Sequence, residues 1–433
     1  MTERATIHQL VQIGVESVAG TRPAGGANRR LQSISISPGI QMDLNLFRAK
    51  GYKFPSVGAQ GREWVQAAIE GQADYNELTW LLASILATPT PAQQGATAAY
   101  QCDFTPDSDG PDTVSSFYVE EGGSVRAHAF AYGLMTEFGY EITRQAFNIS
   151  GQMIGQALSE NISSMGVNEA QTLSITGTPT GGTFTITFGG ETTAAIDYDA
   201  TAAEVQAALV ALSSIGAGNM LCSGGPLPGT AVVCEFQGDE GQTNQAIMTT
   251  TDSLTGGTDP ETAVAETVAG GAATSYTLNP ILPEHVSIYM DSAYGSLGTT
   301  LLTRVLKASF KLNNRQSPLW PINAAEDSYA AVVETEPEAT LELLVEADSV
   351  GMGLLTTARA GTKKFIRLEA EGDEIASPYN YKFTHDMCGI ISAVGEFSDE
   401  EGVFAIPWTF KLAHDPTWGK AMDVDLINII TAL

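Results

Sequence analysis

The chain has 433 residues, too many for one ordinary core and suited to two or three domains. Hydrophobic residues make up 43% and charged residues 16%, which is enough apolar content for folded cores and excludes a globally disordered chain. The net charge of -29 excludes a surface that holds nucleic acid through phosphate contacts; it fits solubility, or a surface that must not adhere to DNA passing close by.

Residues 1–30 read as an arm. The opening MTERATIHQLVQIG lacks a basic region followed by an apolar run, so no signal peptide is expected, and no run of about 18 apolar residues predicts a membrane span. VQIGVESVAG is mildly strand-like, and TRPAGGANRR is turn-rich and basic. LQSISIS (31–37) alternates apolar and polar residues, as a half-buried strand does. Residues 39–61 read as a long loop with exposed aromatics at Phe47, Tyr52 and Phe54, and REWVQAAIEG follows as a strand. ADYNELTWLLASILA predicts a helix: Asp74 suits its N-cap, Glu77 completes a capping box, and Leu78, Leu81, Leu82, Ile85 and Leu86 share one face. Strands are predicted at 99–105, 115–122, 132–143 and 146–155.

Residues 167–273 read as an inserted module, within a run that has no Lys or Arg from Gln145 to Thr303. QTLSIT, TFTITF and TTAAI are strand-like. Thr201 and Glu204 form a capping box for a helix whose buried face is Val205, Ala208, Leu209 and Leu212, and Gly216 or Gly218 stops it. Asp197 and Asp199 precede that helix, where capping explains them better than a catalytic carboxylate pair. Strands NMLCSGG and AVVCEF follow, and 254–273 reads as a polar return linker.

The C-terminal part repeats the first plan: strands at 304–312 and 330–336, a helix opened by Pro337 with Leu341, Leu344 and Val345 on one face, then strands at 362–370, 381–397 and 403–415. Leu78–Leu82 aligns with Leu341–Val345 at one residue of slip, which points to an internal duplication with a period above about 100 residues, too long for a solenoid. The division expected is an arm (1–30), a first domain (31–166), the insertion (167–273) and a second domain with a C-terminal arm (274–433).

Catalytic patterns are sparse. His8, His128, His285, His385 and His414 form no closely spaced ligand set, no Gly-x-Ser-x-Gly elbow occurs, and the glycine pairs are not followed by the Lys of a phosphate loop. Asp107–Asp112 resembles a fragment of a calcium loop but lacks the downstream bidentate Glu, so an acidic turn is the better reading. Asn148-Ile149-Ser150 and Asn161-Ile162-Ser163 are formal glycosylation sequons, without weight unless the chain is secreted. Cys102, Cys222, Cys234 and Cys388 include no CxxC pair, so no zinc site is expected. A hairpin centred on Pro228 would set Cys222 opposite Cys234, as a disulfide candidate or as two small apolar residues of a core, the second being favoured in a cytoplasm. No enzyme activity, cofactor or metal is expected, and the balance favours a structural protein.

Several segments resemble a family. VQIGVESVAGTRPAGGANRRLQSISI resembles the start of long-type major tail tube proteins of bacteriophages with non-contractile tails. GSLGTTLLTRVLKASFKLNNRQSPLW, VVETEPEATLELLVEAD, YKFTHDMCGIISAVGEFSDEEGVFAIPWTF and HDPTWGKAMDVDLIN extend the resemblance to nearly all residues outside the insertion. The insertion is similar to a small module that recurs in phage tail and bacterial surface proteins.

The resemblance implies a mainly β (α+β) chain: two tandem β-sandwich or half-barrel domains, each with one packed helix, and a small ββαββ-like domain on the outer wall. It implies a structural virion protein, assembled in the host cytoplasm, that stacks as rings into the tail tube. DNA would pass through the lumen without specific binding, and no membrane is involved. A duplicated chain would need three copies for a pseudo-hexameric ring, with six copies as the alternative, and tape-measure and tail terminator proteins would be partners. Candidate lumen-lining charges are Glu137, Glu141, Asp386 and Glu396, which would repel phosphates. Phe47, Tyr52 and Phe54 are candidates for contacts between rings. Rival readings are a β-modular surface or adhesion protein binding host glycans, or a carbohydrate-active enzyme carrying the insertion as a binding domain.

Overall fold

The computed structural model describes residues 9–123, 126–162, 165–322, 328–400 and 402–433; His8 and Ser163 lie outside them. The chain is mainly β, with 51% strand and 9% helix. Its first unit contains β1 (Leu10–Val15), β2 (Ile34–Phe47), β3 (Val57–Gln72), α1 (Leu78–Ile85), β4 (Phe117–Gly123), β5 (Arg126–Ile142) and β6 (Phe147–Gly155). Period-two alternation builds the sheet: Ile34, Ile36, Val65, Ala67 and Ile69 are buried, while Ser35, Ser37, Gln66 and Ala68 face water.

The intervening segment forms two small sheets with a core of its own around Phe184, Leu209, Val232 and Phe236. It comprises β7 (Ala170–Ile175), β8 (Gly181–Phe188), α2 (Ala202–Val210), β9 (Met220–Gly224), β10 (Val232–Phe236), β11 (Thr249–Thr255) and β12 (Thr262–Val268). The expected capping box of α2 is present: Glu204 N donates to Thr201 Oγ1 at 3.4 Å, and Thr201 N donates to Glu204 Oε2 at 2.8 Å. The expected return linker is a correction. Its Thr and Val residues form β12, which pairs with β7 along Ala170–Ile175 and so closes one sheet.

The second unit contains β13 (Val286–Asp291), β14 (Val305–Asn313), β15 (Gln316–Leu319), β16 (Ala331–Glu334), β17 (Glu338–Glu346), α3 (Ser349–Ala360), β18 (Lys364–Ala376), β19 (Tyr379–Val394), β20 (Val403–Leu412) and β21 (Met422–Asn428). Both units share one antiparallel strand order. It is β1-β4-β5-β6-β3-β2 in the first and β13-β18-β19-β20-β17-β14 in the second. In each, the helix follows the strand equivalent to β3. A register shift recurs at one place, between Met135 and Glu137 in β5 and between Ile391 and Ala393 in β19.

Three local expectations need correction. Residues 338–346 are strand β17, not a helix. Leu341, Leu343 and Val345 are buried and Glu342 is exposed, a two-residue period that serves a strand flanked by β14 and β20. The helix is α3, which starts at Ser349 rather than at Pro337, and there Gly351 N donates to Asp348 Oδ1 at 2.9 Å. Leu341–Val345 therefore corresponds to Ala67–Gly71 of β3, and α3 to α1. Residues 39–61 are mostly not loop but the distal half of the β2–β3 hairpin, paired through Phe47 and Val57. Glu77 does not close a capping box. Asp74 Oδ1 accepts Asn76 N at 2.8 Å and Glu77 N at 3.1 Å, while the Glu77 carboxylate accepts Gln32 N at 2.6 Å and Ser33 N at 2.9 Å, tying α1 to the start of β2.

Candidate assembly interface

The two units meet edge to edge. Ala308–Leu312 of β14 pairs with Ile142–Phe138 of β5, extending the first unit's sheet into the second's. The core face of this junction is aromatic: Tyr140 and Phe310 rings lie 5.3 Å apart, Phe310 and His385 4.6 Å, and Tyr140 and Phe147 5.2 Å. His385 Nδ1 lies 2.9 Å from Tyr140 Oη, and burial pushes the imidazole pKa down to about 3, so the ring is neutral and belongs to the core.

A second clasp lies above it. Arg315, 3% exposed, donates Nε to Ile85 O at 2.9 Å and pairs with Asp112 and Glu334. It bridges the end of α1, the 107–112 turn and the β15–β16 hairpin. The acidic turn is thereby explained, since Asp112 serves an internal ion pair. Trp320 follows β15 and meets Trp64 at 5.3 Å, Arg62 lies 4.8 Å from the Trp320 ring, and Tyr329 Oη donates to Tyr132 O at 2.6 Å. No sequence motif marks Arg315. The available signal was a single cation between NN and QSP in a chain poor in cations.

The outer ends carry the same surfaces uncovered. The outer edge of β2 along Ile36–Ile40, equivalent to Ala308–Leu312, has no strand beside it among the described residues. At the other end, the continuation of β19 through Val394–Phe397 is exposed. The strand equivalence sets Phe404 with Phe147 and Val394 with Phe138. Phe147 is 2% exposed and Phe404 72%. Phe404 and Phe397 meet edge to face, with ring centroids 6.4 Å apart, and both remain exposed.

The face opposite the core runs without a break from β2 to β20. Ser37, Ala68, Gln152 and Glu137 are cross-strand neighbours on it, and so are Glu141, Ser309, Glu342 and Thr409. Of the four expected lining charges, Glu137 is exposed at the β5 bulge, and Glu141 Oε2 pairs with Lys307 Nζ at 2.5 Å. Asp386 departs from the expectation: it is 4% exposed, and Arg367 forks both its oxygens at 2.7 Å, so it offers no free charge. Glu396 is exposed at the uncovered edge. Lys307, Lys311 and Lys411 alternate onto the same face, so it is polar with both signs.

Phe47, Tyr52 and Phe54 cluster at the tip of the β2–β3 hairpin and are all exposed. Cys222 and Cys234 are register partners with Sγ atoms 3.2 Å apart, and both are free thiols. The thiol–thiol hydrogen bond with Cys222, with burial, holds the Cys234 thiol well above its usual pKa. Among the described residues no group of three or more His, Cys, Asp or Glu could hold a metal ion, and no helix is long and apolar enough to cross a membrane. No protein-family model matches the chain, and no curated protein matches it in sequence.

Proposed function

We propose that copies of this chain join head to tail into closed rings, and that stacked rings form a virion tail tube for genome passage. One observation carries the reading: the edge-to-edge junction inside the chain is offered again, uncovered, at its two ends. The β2 edge of one copy continues the β19 edge of the next as β14 continues β5. Such a contact is heterologous, so it closes into a ring when its rotation divides a full turn. It also covers the open β2 edge and the β19 end, two places where the free chain could otherwise pair wrongly. Pro38 stands at the position of Phe310 and lacks an N–H, so the intermolecular junction has one donor fewer than the internal one.

Two like units per chain make three copies sufficient for a sixfold-like ring, in line with the family resemblance. The unbroken polar face, without large apolar side chains along Ser37, Ala68, Gln152 and Glu137, suits a lumen past which DNA slides. Native mass measurement and negative-stain imaging of the purified chain test the reading. Hollow tubes built from three-chain rings are expected. A protein that stays monomeric at all concentrations refutes it, and six chains per ring refutes the stoichiometry alone.

A further inference from the structure

The chain leaves β1 and β13 in the same way, at Glu16-Ser17 and at Asp291-Ser292. Each acidic side chain accepts from the backbone of the loop that follows it, Gly20 N at 2.8 Å and Gly298 N at 3.1 Å. Beyond that the two loops diverge. The second unit's loop closes over its own sheet, with Tyr294 stacked on Trp418 at 4.6 Å. The first unit's loop runs through Arg22-Pro23-Ala24-Gly25-Gly26 and meets the insertion.

The insertion is seated on that loop. Asn168 N donates to Gly25 O at 3.0 Å and Thr274 N to Asn28 O at 3.0 Å, so both of its chain connections lie against the loop. A methyl on Gly25 would stand 2.8 Å from Asn168 O and 2.8 Å from Val268, so the approach needs glycine. Arg22 Nη1 donates to Glu235 Oε2 at 2.8 Å, and Asn168 Nδ2 donates to Glu235 Oε1 at 2.8 Å. This ion pair ties the first unit to the insertion.

A second carboxylate stands beside the same cation. Glu120 of β4 lies under the loop and is 4% exposed. Its Oε1 accepts Ala27 N at 3.4 Å, and its Oε2 is buried without a hydrogen-bond partner among the described residues. A methyl on Gly26 would lie 2.9 Å from Glu120 Oε1 and 3.0 Å from Arg22 Nη2, so both groups converge on one point. Tyr118, on the same strand, has its ring 5.7 Å from the guanidinium, and burial pushes its hydroxyl up, so it stays neutral. Gln12 and Ala129 are the cross-strand neighbours of Glu120, while Glu121 and His128 pair on the opposite face of the sheet.

Burial pushes the Glu120 carboxyl up to about 7. Burial also opposes the Glu235 charge, but the Arg22 hydrogen bond and charge outweigh it and hold that carboxyl below its usual range. One guanidinium thus serves one ionised carboxylate below about pH 7 and two above it.

We infer that the seat of the insertion is a catch worked by a proton. With Glu120 protonated, Arg22 is committed to Glu235 and the insertion is fixed on the first unit. With Glu120 ionised, two buried carboxylates repel each other and divide one cation, and the insertion is freed to move about its two chain connections. The catch lies within one copy, so it stands apart from the ring reading.

Hydrogen exchange by mass spectrometry on the full chain, at about pH 6 and about pH 8 and referred to the unfolded chain at each pH, tests the catch. In wild type, protection of peptides spanning Asn168 and Thr274 is expected to fall about tenfold or more between the two, while β7 and β12 keep theirs. Glu120→Gln keeps the shape and cannot ionise, so its seat is expected to stay protected at both. Glu235→Gln, made on the insertion side, is expected to lower the seat's protection already at the lower pH. Equal wild-type protection at the two pH values overturns the catch, as does a fall of wild-type size in Glu120→Gln. Full protection in Glu235→Gln at the lower pH overturns the Arg22–Glu235 pair as its tie.

Discussion

Phe404 offers the sharpest quantitative test of head-to-tail joining. In the single chain it is 72% exposed, whereas Phe147, its counterpart at the internal junction, is 2% exposed. If the next copy covers Phe404 as the second unit covers Phe147, the difference on a phenylalanine of about 200 Å² is roughly 140 Å², or ~3.5 kcal/mol at about 25 cal/mol per Å². Phe404→Ala keeps the backbone and a methyl group, so a loss of roughly 2–3 kcal/mol per junction is expected, and the concentration for half assembly rises about a hundredfold. Mass photometry or sedimentation velocity over a dilution series reads that midpoint. Because the ring is already in water in the lone chain, the unfolding temperature of the monomer should not move. Leu221→Ala, on the insertion and 44% exposed, is the control that should leave the midpoint unchanged. Equal midpoints for wild type and Phe404→Ala refute the equivalence and the joining built on it.

Other consequences follow from particular contacts. Glu120 is 4% exposed, and burial pushes its pKa from 4.5 to about 7. The raised value means that its contribution is full below about 4.5 and falls by on the order of 3 kcal/mol as pH rises to about 7. Glu120→Gln should flatten the stability profile in that window, and an unchanged slope in chemical unfolding against pH defeats the assignment. Deleting residues 167–273 with a short linker should leave tubes intact, because Val167 and Gly271 exchange backbone hydrogen bonds of 2.7 and 2.9 Å and so already stand side by side. The deletion also strips Arg22 of its 2.8 Å pairing with Glu235, so stability of the truncated chain should recover with Arg22→Met; failure to assemble even then places the module in the wall. Native Cys222 and Cys234 should resist alkylation, since both are buried and paired, and rapid labelling of both without unfolding contradicts that packing.

What the sequence disclosed follows how local each signal is. The insertion's helix was legible because Thr201 and Glu204 cap it within one turn, and its buried face repeats at helical spacing. The segment ATLELLVEA was not. Leu341, Leu344 and Val345 fit a helix, whereas Leu341, Leu343 and Val345 fit a strand, and only the neighbours β14 and β20 decide between them. Likewise SVGMGLLTTARA carries two glycines and two threonines, weak helix formers, and becomes α3 through the Asp348 cap and packing of Leu354. Asp386 looked like a surface charge because its partner, Arg367, lies on another strand and no local pattern announces it.

The assembly surface belongs to a different kind of legibility. An exposed Phe404, alone, means little, since exposed apolar side chains are ordinary on protein surfaces. It acquires meaning because the chain contains its own control. Phe147 occupies the same place in the same strand order and is buried by a neighbouring unit. The helix-based alignment, with Leu78–Leu82 set against Leu341–Val345, hid this equivalence by shifting one unit against the other. With β3 set against β17, the internal junction becomes a template for the external one. The Ile36–Ile40 edge and the Val394–Phe397 end are then two halves of one interface, separated only by lying at opposite ends of a single copy.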